Sequence, residues 1–318
     1  MISGTIAGSN SFTVYPLGEI TIPRISYSYY YISYTPFSAS GTMWIKSNST
    51  ATPVSYQISS YSGMLSFGNS YPEYLSFERC NWRRIETNIP MFNENLAFAR
   101  CSTLQKAYLY NCTSLPLRAF AYCSSLSQIN LPMCRYIGEN AFAYCSSLSQ
   151  VSLPMCSYIE TGAFVLCSSL SQINLPNCSY IASRAFKHCS SLSLIELPVC
   201  TYLGGDVFAN CWSLSQIELP VCGYIRKMAF YDCTSLSQIS LPVCSYIESE
   251  AFRHCTSLSI ITLGYSGVCS LDNLNVFSET PITSSTGSIY VPASLVSAYK
   301  SASNWSQYSA IIQSYPGL

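Results

Sequence analysis

Residues 123–144 read CSSLSQINLPMCRYIGENAFAY, and residues 145–166 read CSSLSQVSLPMCSYIETGAFVL. The pattern C-S-S-L-S-Q-I-N-L-P-x-C-x-Y-I-x-x-x-A-F-x-x recurs in seven units from Cys101 to His254, and an eighth strand-like segment follows at residues 255–263. A fixed period of 22 residues is typical of solenoids, in which each unit packs only against its neighbours. The sequence becomes irregular at both ends of the array, as the capping of such a rod requires.

Each unit contains the spacing L-x-x-I-x-L-x-x-C-x-Y, which is that of a leucine-rich repeat. In the second unit the alternation of Ile129 and Leu131 predicts a short strand with both side chains inward, and the following proline ends it. The Y-I-x-x-x-A-F half of the unit predicts about one turn of helix on the outer side. The sequence therefore predicts a repeat α/β solenoid, a leucine-rich repeat whose parallel β-sheet forms the concave face.

The longer motif L-P-x-C-x-Y-I-x-x-x-A-F-x-x-C-x-S-L-x-x-I resembles the BspA-type leucine-rich repeat family of bacterial surface and adhesion proteins, the type known from Treponema pallidum. The resemblance is close over residues 101–263, and the stretch SIYVPASLVSAYKSASNW, residues 288–305, resembles the family's closing strand and helix. It implies binding to proteins or glycans at a surface, without catalysis. It implies no individual binding residue, because these are not shared across the family.

Composition excludes several classes of function. Charged residues make up 9% of the 318, and fifteen basic residues balance fifteen acidic ones, so no net field favours nucleic acid or an anionic membrane. No stretch approaches the roughly 20 apolar residues that a membrane-spanning helix needs. We find no catalytic triad, phosphate loop, metal-ligand spacing or cofactor motif, and expect neither an enzyme nor a cofactor.

The chain has seventeen Cys, of which fifteen recur every eleven residues from Cys101 to Cys255. Free Cys is among the most buried residue types, so we interpret both columns as small core side chains. Partners eleven residues apart would lie on opposite sides of the coil, which disfavours disulfides, and no C-x-x-C spacing indicates zinc. The expected reduced thiols suit synthesis in a reducing compartment.

Two columns of strand side chains are expected to face the concave surface. Glutamine dominates the first column, and a ladder of amides bonded along the sheet explains it without a ligand. Departures from the repeat mark binding more clearly, and Glu196 and Glu218 on adjacent strands are expected to be solvated carboxylates, not an acid/base pair. The candidate binding residues on this face are Lys106, Tyr108, Asn130, Asn174, Leu194, Glu196 and Glu218.

The residues just before A-F vary most from unit to unit. Examples are the pairs Glu139 and Asn140, Thr161 and Gly162, and Ser183 and Arg184. We favour drift on a solvated edge, with ligand contact as the alternative.

The chain outside the repeats divides into three segments. Residues 1–70 predict a β-rich N-terminal module of antiparallel strands, residues 71–100 a junction with a degenerate first repeat at Leu75, Phe77 and Cys80, and residues 264–318 a C-terminal strand-helix cap. The module includes a Tyr-rich stretch that indicates either cross-strand aromatic pairs or a contact surface. Its candidate binding residues are Tyr27, Tyr29, Tyr30, Tyr31 and Tyr34.

These features favour a non-enzymatic recognition protein with an adhesin-like role, whose partner is a host or bacterial surface protein or glycan. The amino-terminal residues show no secretory signal, so the predicted location is a cell surface, the extracellular space or a virion. Two alternatives stay open, a receptor-binding tail protein of a bacteriophage and a purely structural spacer. The sequence fixes neither the oligomeric state nor the ligand.

Overall fold

The chain begins with antiparallel strands. The structure, a computed structural model, describes residues 97–264 and 267–315 in full and the backbone of nine strands before residue 97. The first eight strands are β1 Ile2–Ile6, β2 Asn10–Val14, β3 Glu19–Thr21, β4 Tyr30–Tyr34, β5 Gly41–Lys46, β6 Ser55–Ser59, β7 Met64–Phe67 and β8 Tyr74–Ser76. They form two antiparallel sheets, in the orders β2-β1-β4-β5-β8 and β3-β6-β7. This agrees with the β-rich module predicted from the sequence.

The first rung of the solenoid lies later than predicted. Leu75 belongs to β8, which pairs antiparallel with β5. The next strand, β9 (Arg84–Thr87), instead pairs in parallel with β10 (Lys106–Leu109), and Arg84 lies opposite Lys106. The apolar residues around Leu75 therefore do not form the degenerate repeat, whereas counting the 22-residue period back from Lys106 reaches the correct strand.

One strand from each unit continues this parallel sheet. The strands are β10, β12 Gln128–Asn130, β14 Gln150–Ser152, β16 Gln172–Asn174, β18 Leu194–Glu196, β20 Gln216–Glu218, β22 Gln238–Leu241, β24 Ile260–Leu263, β26 Ser288–Val291 and β27 Ile312–Ser314. Identical positions lie opposite one another, as Gln128 does Gln150, so each sequence column becomes a physical column. Central residues of the strands are buried and their neighbours face outward.

A second set of strands takes up the Y-I positions. They are β11 Ser114–Leu115, β13 Tyr136–Ile137, β15 Tyr158–Ile159, β17 Tyr180–Ile181, β19 Tyr202–Leu203, β21 Tyr224–Ile225, β23 Tyr246–Ile247 and β25 Ser270–Leu271. The helical turn predicted after them is absent from the described units, which have tight turns there. The reason is that turn amides bond to the next unit, as Phe120 N does to Ala141 O at 2.7 Å, and not to their own segment.

This bonding places two residues of every unit in the left-handed region. They are Arg118 and Tyr122, Asn140 and Tyr144, Gly162 and Leu166, Arg184 and His188, Asp206 and Asn210, Met228 and Asp232, and Glu250 and His254. Their φ angles lie between 54° and 64°. A non-glycine residue loses about 1–2 kcal/mol in this conformation, which the surrounding turn contacts offset.

The core consists of columns of identical side chains. Phe residues stack from Phe98 to Phe277 with ring centroids 4.9–5.6 Å apart, and all are fully buried. Leu, Ile and Ala columns are buried beside them. Offset-stacked rings add about 0.5–1.5 kcal/mol per pair beyond the burial of their area, so neighbouring units stabilise one another. This packing explains why the A-F dipeptide hardly varies.

Both Cys columns are buried, and no disulfide joins the sixteen described Cys. In one column each thiol reaches the carbonyl of a Phe 25 residues earlier, as Cys145 Sγ does Phe120 O at 3.1 Å. In the other column the thiol reaches a carbonyl two residues ahead, as Cys134 Sγ does Tyr136 O at 3.3 Å. The thiols therefore act as small side chains that also donate weak hydrogen bonds at both turns of the coil.

Hydroxyl side chains bond the solenoid along its length, with one interruption. Thr201 Oγ1 donates to Ser179 O at 3.3 Å and Ser245 Oγ to Gly223 O at 3.2 Å, a repeated contact between neighbouring units. Gly223 has no hydroxyl to continue this series. Strand pairing is interrupted at the same unit, between β20 and β22 and between β19 and β21.

A compact cap closes the last rung, as predicted. It consists of a 3-10 helix Ala293–Leu295, helix α1 Val296–Ser301, a second 3-10 helix Ser306–Tyr308 and β27. Trp305 is fully buried, and its ring lies 5.9 Å from that of Phe277, the last of the Phe column. Its Nε1 donates to Cys269 O at 2.5 Å. The aromatic cap therefore continues the core contacts where the repeats end.

Candidate functional site

The outward side chains of the first sheet line an open groove of about 550 Å³. It extends across five strands, β10 to β18, and its floor consists of the buried central residues Ile129, Val151 and Ile173. Its polar lining comes from the columns on either side of them, namely Tyr108, Gln128, Asn130, Gln150, Ser152, Gln172, Asn174 and Glu196, with Leu194 beside them. The parallel register brings these residues together from segments 22 residues apart.

The glutamine column is aligned as predicted, but it is not a bonded ladder. In the described chain no hydrogen bond joins one Gln amide of this column to the next, and Gln128 instead accepts one from Tyr108 Oη at 3.3 Å. The reason is that the side chains at these positions are exposed, so solvent competes for their amides. The amides of Gln150 and Gln172 are consequently open to a ligand.

The far end of the groove combines an apolar and an acidic group. Leu194 takes the place of Gln in its column and keeps 37% of its surface exposed. Glu196 lies directly opposite Glu218 on the adjacent strand, as expected. Within residues 97–264 and 267–315 neither carboxylate has an ion-pair or hydrogen-bond partner, so both remain available to an external donor.

The structure brings together five of the predicted binding residues. Tyr108, Asn130, Asn174, Leu194 and Glu196 all line the groove. Lys106 and Glu218 lie exposed on the same face but outside it. The predicted tyrosines of the N-terminal module fall outside the described side chains, and these are Tyr27, Tyr29, Tyr30, Tyr31 and Tyr34.

Two other kinds of site were searched for. Among the described residues, no cluster of three or more His, Cys, Asp or Glu side chains is arranged to hold a metal ion. Over the same residues, no helix combines the length and apolarity needed to cross a membrane.

Comparison with known families identifies the repeats. The model of the BspA type leucine-rich repeat region matches residues 69–149 and 157–280, in six copies. This chain belongs to that family. A search of curated protein sequences finds no match.

Solved structures of other BspA-like chains are similar to this chain. A leucine-rich cell surface protein from Faecalibacterium prausnitzii is 18% identical, with a TM-score of 0.35, over 90% of this chain and 98% of that one. The leucine-rich repeat protein of T. pallidum is 21% identical, with a TM-score of 0.41, over 59% and 84% of the two chains. A leucine-rich repeat protein from Bacteroides ovatus is 18% identical, with a TM-score of 0.30, over 84% and 99%.

A second column on this BspA-type solenoid consists of tyrosines that sequence analysis left aside. The rings of Tyr158, Tyr180 and Tyr202 stack in parallel with centroids 4.2 and 4.4 Å apart. A hydrogen bond with Tyr158, and then burial, raise the pKa of Tyr180, and burial raises that of Tyr202. The invariant Tyr of C-x-Y-I was the available signal, because period-22 repetition stacks any column.

One arginine interrupts the tyrosine column. The Arg226 guanidinium lies 5.4 Å from the ring centroid of Tyr202 and 5.6 Å from that of Tyr224. Its Nη1 also donates to Glu248 Oε1 at 2.9 Å, and this hydrogen bond raises the pKa of Arg226. The cation therefore lies at the unit where both sets of strands are interrupted.

An exposed apolar edge was also missed. The residue between Pro and Cys in L-P-x-C is exposed in six successive units. The column consists of Met133, Met155, Asn177, Val199, Val221 and Val243. In a solenoid such positions lie one above another, so a polar residue, Asn177, divides this edge into two apolar parts.

Proposed function

We propose that this protein is a non-enzymatic, adhesin-like recognition protein that binds a surface protein or glycan in the groove of its first sheet. The observation that supports this most is the groove lining, in which unbonded amides and hydroxyls of five strands surround a narrow apolar floor. Such a lining offers many donors and acceptors at fixed spacing with little charge. Family membership supports the same role, because BspA-type repeats resemble bacterial surface and adhesion proteins.

The groove suits an extended polar chain better than a small metabolite. A parallel sheet repeats its side chains about every 4.8 Å, so the groove spans roughly 19 Å from β10 to β18. Tyr108 supplies an aromatic surface at one end, and Leu194 and Glu196 supply apolar and acidic contacts at the other. A ligand with alternating polar groups over this length would satisfy the exposed amides in register.

Binding of the purified, labelled protein to mucin, matrix proteins and whole bacterial cells tests the proposal. We expect the variant Q150A/Q172A to weaken binding by about tenfold, since it removes two amides worth about 0.5–1.5 kcal/mol each. Gln238 lies in the same column outside the groove, and Q238A is the matched control. Equal binding by all three proteins would refute the groove as the contact surface.

A second pair of variants separates the groove from general electrostatics. Glu196 lines the groove and its neighbour Glu218 does not, although both are exposed. We expect E196Q to alter binding and E218Q to leave it unchanged. Binding to none of the surfaces by the unaltered protein would instead support the spacer hypothesis, and selective binding to a few bacterial strains would favour the tail-protein hypothesis.

A further inference from the structure

A depression of about 500 Å³ lies on the turn side of the first four units, away from the groove. Its residues come from the two left-handed columns. The first of these columns reads Arg118, Asn140, Gly162, Arg184 along the solenoid, and the second begins Arg100, Tyr122, Tyr144.

The shape of the depression follows from the first column. Gly162 has no side chain, and the Asn140 side chain lies over it, since a Cβ on Gly162 would approach Asn140 Oδ1 to 2.4 Å. Arg118 and Arg184 stand at the two ends of this low stretch, three units apart. At about 4.8 Å per unit their backbones are roughly 14 Å apart, a span that a disaccharide fills.

The depression carries uncompensated positive charge. Among the described residues Arg118 and Arg184 have no ion-pair partner, and Arg100 contacts only the ring of Tyr122, at 5.7 Å. Glu139 is its single carboxylate, and it accepts a hydrogen bond from Asn140 Nδ2 at 3.1 Å. Three cations around one acid favour an anionic ligand.

Charge along the whole solenoid agrees with this. Residues 97–158 carry four basic residues and one acidic residue, whereas residues 159–315 carry six basic and nine acidic residues. The chain as a whole is neutral, so this positive end is a local property and not a consequence of composition.

The remaining lining distinguishes between kinds of anion. Tyr122 and Tyr144 stack with centroids 4.6 Å apart, which leaves their ring edges and hydroxyls outward, and Thr161 adds a third hydroxyl. Hydroxyl, amide and carboxylate groups together match the many hydroxyls of a sugar, whereas an acidic peptide offers carboxylates and a backbone alone. We infer that this depression binds a carboxylated saccharide, with Arg118 and Arg184 contacting its anionic group. The inference rests on the proposed surface-recognition function and adds a second contact site to it.

Binding of fluorescently labelled 3′-sialyllactose and lactose to the full chain tests this site. We expect 3′-sialyllactose to bind at least tenfold more tightly than lactose, with an affinity that falls as salt rises. The variant R118N/R184N should abolish this preference, and Asn tolerates the left-handed backbone at both positions. The control R135N/K227N removes the same charge outside the depression and should retain it.

Three further results decide the matter. The variant G162N should weaken 3′-sialyllactose binding about tenfold without a change in charge, because it fills the depression. Equal binding of both sugars, equal effects of the two double variants, or tighter binding of hexaglutamate than of 3′-sialyllactose would overturn the inference. The groove variant Q150A/Q172A should leave 3′-sialyllactose binding unchanged, so failure of this site is distinguishable from failure of the groove. Unchanged thermal unfolding shows that each variant is folded.

Discussion

Raising the pH should unfold this protein through its buried thiols. Burial raises the pKa of Cys167 and Cys255 from the ordinary 9.0 to about 12, and it also raises that of the other members of the same column. Those are Cys123, Cys145, Cys189, Cys211 and Cys233. The folded chain therefore retains protons that the unfolded chain releases, so stability is complete below pH 9 and is lost as the pH rises toward 12.

The size of this effect is large for one column. At pH 10, one unit above the ordinary thiol pKa, each buried thiol costs about 1.4 kcal/mol of unfolding free energy. Seven such thiols cost about 10 kcal/mol together, which is comparable to the whole stability of an ordinary domain. We expect the folded sheet to be lost near pH 10, well before the buried tyrosines of the cap, Tyr299 and Tyr308, reach their raised pKa of about 12.

Urea unfolding at pH 8, 9 and 10, followed by circular dichroism in a reducing buffer, measures the loss. The matched variant C167S retains a hydroxyl that can donate to Phe142 O, the partner of the Cys167 thiol, but does not titrate in this range. Its stability should fall less steeply, by about 1.4 kcal/mol per pH unit above pH 9. Equal slopes for both proteins, or thiolate ultraviolet absorbance appearing in the folded protein near pH 9, would refute the reasoning.

Three other perturbations test the packing by urea unfolding. Phe164→Ala should cost about 3–5 kcal/mol because it removes a fully buried ring between two stacked neighbours, whereas Tyr136→Ala, at an exposed position, should cost about 1 kcal/mol or less. Leu166→Gly should stabilise the protein by about 0.5–1 kcal/mol, since it relieves a left-handed φ of 62°, and a loss of stability would contradict the strain. Trp305→Ala should expose the last rungs first, and uniform hydrogen exchange along the chain would contradict its capping role.

The repeat period determined most of the fold before any coordinates were available. A strict spacing of 22 residues stacks equal positions, so the buried Phe, Leu and Cys columns and the exposed Gln column follow directly from the sequence. The turn side was not predictable in the same way. A-F-x-x has helical spacing, but its amides bond to the next unit, and only the left-handed φ values of residues such as Tyr122 and Tyr144 reveal this.

Sequence reasoning located part of the candidate surface for a related reason. Leu194 and Glu196 break their columns, and departures from a repeat are visible in a single sequence. The groove boundary was not visible, because it depends on side-chain directions that place Glu196 inside and Glu218 outside. The depression at Gly162 was recognised only as a variable edge, since its shape arises from the absence of a side chain beside Asn140.

The arginines of that edge have no explanation in the fold alone. Gly or Asn would satisfy the left-handed backbone at Arg118 and Arg184 with less strain, by about 1–2 kcal/mol each. Other units hold Asp206 or Glu250 at this position, where each has a basic partner, Lys187 at 2.6 Å and Arg253 at 3.3 Å. Arg118 and Arg184 have no such partner among the described residues, so an external anion is what would compensate both their charge and their strain.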